Sequence, residues 1–114
     1  MEDIRLKKES FSFGGKEYSL CCNFNVLAEI EAEAGSLGAF LRMGMMKAVL
    51  IALAAMLNDY AESVGWKERI SSKELGRSLS TEPAQVKAVS QMVMALVLDA
   101  IKAPASSEGA AEKN

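Results

Sequence analysis

The 114-residue chain has no histidine, and its only two cysteines, Cys21 and Cys22, are neighbours. The first absence removes the commonest general base and metal ligand. The second leaves neither the spaced pairs of a zinc site nor the geometry of an ordinary structural disulfide. A reducing cytoplasm is the expected setting. Gly14-Gly15 has the pattern of a hairpin turn rather than a phosphate-binding loop running into a helix, and the carboxylates follow no metal-loop spacing. No catalytic residue set, metal site or cofactor is therefore expected, and the chain does not read as an enzyme. Positive charge is also short: 13 Lys and Arg against 15 Asp and Glu leave a net charge of -2. The basic residues are scattered, which argues against nucleic acid or an anionic membrane as a partner. The apolar run Ala48 to Leu57 falls short of the roughly 20 residues of a membrane span. The start, MEDIRLKKES, has no apolar signal core, so neither export nor membrane insertion is expected.

What is present suits a globular protein, with 50% hydrophobic and 25% charged residues. One domain is expected over 1-103. The remainder, 104-114, reads PASSEGAAEKN; it is small, polar and aperiodic, and disorder is expected there. The centre of the core is expected in Met43 to Tyr60. At 3.6 residues per turn, Met46, Val49, Leu50, Leu53, Met56, Leu57 and Tyr60 share a face, and Ala48, Ala52 and Ala55 line the back. Such a helix is sandwiched, its alanines admitting a close neighbour. Asn58, Asp59 and Glu62 are expected where it meets water.

Upstream, Phe11 and Phe13 alternate before Gly14-Gly15, and Tyr18 and Leu20 alternate after it. This predicts a β-hairpin with Phe13 opposite Lys16 and Phe11 opposite Tyr18, its aromatic face laid on the helices. A helix from about Phe24 to Ala34 follows, capped by Asn23 or Asn25, stopped by Gly35, with Phe24, Leu27, Ala28 and Ile30 inward. Ser36 starts a short helix through Phe40 and Leu41, and Gly44 divides it from the central one. Beyond Tyr60, the stretch Ser63 to Ile70 is expected to tuck Trp66 against the core. Ser71 or Ser72 caps another short helix to Leu79, with Glu74 in its first turn. Pro83 suits the first turn of a last helix reaching about Lys102, with Pro104 ending it. The fold class is α+β, mostly α: an N-terminal hairpin on a bundle of about four to five helices.

Two features invite a binding role. On the last helix, Val86, Val89, Val93, Leu96, Val97 and Ala100 form a core stripe, with Met92 to one side and Met94, Leu98 and Ile101 to the other. The apolar arc covers roughly two-thirds of the circumference, against the stripe of about 100° that a one-sided helix needs. The excess points to self-association or an apolar partner. Glu29, Glu31 and Glu33 make the first helix acidic, and Glu29 and Glu33 are candidates for docking a basic partner as well as for a solvated face. A third pattern, SSKELGRSLSTEPAQVKAVSQMV, has the helix, turn and helix of a DNA-binding regulator. Its second helix, however, offers Gln85, Lys87 and Gln91 and no arginine to read bases.

The motifs Phe11-Ser-Phe-Gly-Gly-Lys16-Glu-Tyr18-Ser-Leu20, Asn25-Val-Leu27-Ala-Glu29-Ile30-Glu31 closing at Gly35, the apolar helix after them, and Ser72-Lys-Glu74-Leu75-Gly76 come in a telling order. Over Ile4 to Leu79 the chain resembles the tail assembly chaperones of long-tailed bacteriophages and prophages. The resemblance implies a non-enzymatic factor in the cytoplasm of the bacterial host. It would bind the tape measure protein, keep it soluble and help recruit tail tube subunits, and it would be absent from the mature virion. Such proteins often occur in a short form and a frameshifted longer one, and this chain resembles the short form. Apolar grooves and several copies along an extended helical client suit that task. The alternatives are the helix-turn-helix regulator, and a structural tail or head-completion protein retained in the particle.

Overall fold

The computed structural model describes residues 7-113, with side chains for 7-102. Strands β1 (Glu9–Phe13) and β2 (Lys16–Leu20) form a two-stranded antiparallel sheet. Phe13 pairs with Lys16 and Phe11 with Tyr18, as the alternation predicts. Gly14 and Gly15 turn the chain at φ of 60° and 80°, a left-handed pair that a two-residue hairpin requires and that side chains with a Cβ resist.

Five helices follow: α1 (Phe24–Ala34), α2 (Leu37–Arg42), α3 (Met45–Ser63), α4 (Ser72–Ser80) and α5 (Val86–Lys113), with a 3₁₀ turn at Pro83–Gln85 leading into the last. The class is α+β and mostly α. Helix α5 runs on through Pro104 to Lys113, where the sequence predicts a stop at Pro104 and a disordered tail over 104-114; side chains beyond 102 lie outside those described.

Helix α3 is the centre. It packs against β2, α1, α4 and α5, and its residues from Ala48 to Asn58 are buried apart from half-buried Leu50. The alanine-lined back is thus covered, as the pattern of large residues on one side and alanines on the other requires. The first turn differs from expectation: Met46 is half in water and Leu50 only half-buried, because both line an open depression against α4.

Helix α1 is capped by Asn23, whose Oδ1 accepts from the Val26 amide at 2.9 Å. Starting there, the helix turns Val26 and Ile30 into the core. Phe24, expected inward, is 73% exposed, since as the first helical residue it precedes the stripe that meets α3. Ala28 is exposed as well, and Leu27 half-buried. Ser36 and Ser71 cap α2 and α4 through the amides of Ala39 and Glu74. Pro83 lies in the 3₁₀ turn rather than in α5 itself.

Asn58, expected at the water boundary, is buried. Its Nδ2 donates to the Ile70 carbonyl at 2.8 Å, and its Oδ1 accepts from the Ile70 amide at 2.7 Å. Trp66 closes one end of the core in edge-to-face contact with Tyr18 and Tyr60, at centroid separations of 5.3 and 5.7 Å.

Candidate protein-binding surfaces

The stripe that seats α5 on α3 is the one its periodicity implies: Val89, Val93, Leu96 and Val97 are buried. The residues on either side behave unequally. Met92, Met94 and Ile101 are half-buried and lie against the core, whereas Leu98 is 41% exposed. Long flexible side chains fold down from the shoulders of a stripe, and methionine does so readily. Leu98 stands further round the helix and is covered less than the others. Beside it, Asp99 pairs with Lys7 at 3.3 Å, which ties the chain before β1 to this part of α5. By length and composition, Pro83–Lys102 is apolar enough to cross a membrane, with a mean hydropathy of 1.4, yet only 22% of that window is buried in the fold.

Glu29 and Glu33 line a different place, a groove of about 530 Å³ between α1 and the segment entering α4. Buried Ile51, Ala54 and Ala55 of α3 contribute to its lining. Glu29 pairs with Arg69 at 3.5 Å, and Lys73 lines the same groove. The acidic surface imagined for a basic partner is therefore partly neutralised from the opposite wall. What the structure offers is a groove with charges of both signs over an apolar base. The proposed partner-binding residues thus fall into two sets, one on α5 and one on α1, and among the described residues only those on α1 line this groove.

A second depression of about 570 Å³, not expected from the sequence, runs between the start of α3 and α4; it is lined by Met46, Leu50, Gly76, Arg77, Leu79 and Val86 among others. Gly76 was its signal. A Cβ there would come within 3.3 Å of Leu50 Cδ1, so the glycine permits α4 to lie close to α3.

The cysteines follow β2, Cys22 buried and Cys21 half-buried, both free. Burial, with the neighbouring Cys21 a lesser cause, pushes the Cys22 thiol up to about 12. Cys21 is raised too, chiefly by burial and then by the Asp59 carboxylate. Among the described residues no cluster of three or more His, Cys, Asp or Glu side chains is placed to hold a metal ion. No protein-family model, curated protein or solved structure matches the chain.

Proposed function

We propose that the chain is a non-enzymatic assembly chaperone of a long-tailed bacteriophage or prophage. It acts in the cytoplasm of the bacterial host by keeping the tape measure protein soluble and presenting it to tail tube subunits. The observation that carries the reading is Leu98 on α5, a large apolar side chain left 41% exposed on a helix with the apolarity of a membrane span. An assembly factor for a long helical client needs such a surface, because an amphipathic helix binds by laying its apolar face against another. The motif order from the hairpin through α1 to Ser72-Lys-Glu74-Leu75-Gly76 supports the same reading by resemblance. In this account Leu98, with Met94 and Ile101 on its flank, contacts the client, and the groove holding Glu29 and Glu33 is a secondary contact of mixed charge.

Co-expression with the tape measure protein of the same genome tests the proposal. The wild-type chain should hold the client in the soluble fraction and co-purify with it, and Leu98→Glu should lose both effects while remaining folded. A client that is equally insoluble with and without the wild-type chain overturns the proposal. Recovery of the chain in finished tails would replace the chaperone by a structural component of the particle.

A further inference from the structure

We propose that two copies of this chain pair through the open edge of β1, antiparallel and centred on Phe11, so that two hairpins become one four-stranded sheet. The inference stands on the hairpin and does not depend on the chaperone reading.

The argument begins with the direction of the backbone groups. In a two-residue hairpin the pair flanking the turn exchanges both its hydrogen bonds, and the pattern then alternates along the ladder. With Phe13 opposite Lys16, the bonded pairs are Phe13–Lys16, Phe11–Tyr18 and Glu9–Leu20. The amides and carbonyls of Ser10 and Ser12 therefore point away from β2. Among the described residues, no backbone hydrogen bond outside the hairpin reaches residues 7-13. Packing leaves the same side open, since β2 lies against α3 while β1 has its substantial contacts with β2 alone. Proteins usually blunt such an edge with proline, a bulge or an inward charge. Glu-Ser-Phe-Ser-Phe carries no proline, its ladder runs without a bulge, and its one charge, Glu9, is on the face of Phe11 and Phe13 but at the exposed end of the strand.

The occupant is a second copy because the edge is complementary to itself. Placing a two-fold axis at Phe11, normal to the sheet, sets Ser10 opposite Ser12 of the partner and Ser12 opposite its Ser10. Both are outward-pointing residues, so each pair exchanges two bonds, about four in all. Phe11 then faces its own counterpart in the non-bonded position, where side chains approach most closely. Phe13 faces Glu9, and Lys8 faces Gly14, so like charges are never opposed. Moving the axis to Ser10 or Ser12 also satisfies the outward groups but pairs only part of the five-residue strand; the axis at Phe11 pairs all of it. The axis keeps both helical layers on one side of the new sheet, and half-buried Phe11 gains cover from its mate.

Sedimentation of the full chain over a range of concentrations, with amide exchange at Ser10 and Ser12, tests the pairing. The wild-type mass should double as concentration rises, and the two amides should exchange freely when dilute and be protected when concentrated. Ser10→Pro removes only an outward N–H and suits an edge strand. It should keep the circular dichroism and melting midpoint of the wild type while remaining at the mass of one chain. A chain that stays monomeric with both amides unprotected overturns the proposal. So does a dimer whose Ser10 and Ser12 amides exchange freely, or one dissolved by Leu98→Glu but not by Ser10→Pro. A chain that dimerises through β1 and leaves the tape measure protein insoluble would end the chaperone reading and leave this one standing.

Discussion

Asn58 and Ile70 are joined by a reciprocal pair of hydrogen bonds, side chain to backbone in both directions, at 2.8 and 2.7 Å. The bonds hold the connection between α3 and α4 against the central helix. They also account for a polar residue in its buried stretch, because every buried donor and acceptor involved has a partner.

Removing the carboxamide should be costly. Asn58→Ala strands the Ile70 amide and carbonyl, each at about 1–3 kcal/mol. For a domain of this size a drop in melting midpoint on the order of 10 °C follows. A midpoint within two or three degrees of wild type, where about 4–8 °C is expected for each kcal/mol lost, would show that water replaces the side chain at no cost.

Asn23 serves two elements at once, since it caps α1 and donates to Asp59 Oδ2 at 2.9 Å. Asn23→Ala should cost about 1–2 kcal/mol through the cap and more through the lost tie to α3. Asn23→Ser keeps the cap and should fall between alanine and wild type. Equal denaturation midpoints for Ser and Ala would assign the whole effect to the Asp59 bond.

On α5, neighbouring positions should respond oppositely. Leu98→Glu places a charge at an exposed position and should shift the melting curve by no more than a few degrees. Val97→Glu buries an unpaired carboxylate at a fully enclosed site and should abolish cooperative melting. A Leu98→Glu protein that is itself unfolded would mean that this side chain is covered within the fold.

The thiols give the alkaline behaviour. The unfolded Cys22 thiol titrates near 9.0 and the folded one near 12, so above pH 9 the unfolded chain gives up a proton that the folded chain keeps. Stability from this group is complete below pH 9 and is lost as pH rises towards 12. Melting midpoints of wild type and Cys22→Val compared from pH 8 to 11 should show a shallower decline for the variant. Parallel declines would remove Cys22 as a cause.

Much of this architecture is legible in the residues. The hairpin register follows from two glycines and the alternation around them, which leave one pairing, and the α5 stripe follows from branched residues at three- and four-residue spacing. The inner face of α1 is legible at Ile30 and in part at Leu27, whereas Phe24 and Ala28 are exposed and Val26 is buried instead. The register of Val26 and Ile30 becomes plain only once Asn23 is known to be the one that turns the helix in. Asn58 was misplaced for another reason. Polarity suggests water, and its partner is a main-chain group twelve residues away that leaves no mark in a side-chain pattern. The candidate surfaces divide in the same way. The width of the apolar arc on α5 is legible, but which of its flanking residues stays exposed is not, and the pairing of Glu29 with Arg69 depends on the path of an irregular segment that no periodicity describes.

The central place of α3 also bears on how the chain unfolds. The hairpin, α1, α4 and α5 each meet α3, so removing that helix takes away the contact they have in common. Partial opening is confined to the periphery, and the amides in the middle of α3 exchange with solvent only when the whole domain comes apart. A single cooperative transition is therefore expected, with a lesion in the alanine row of α3 felt in every layer that touches it.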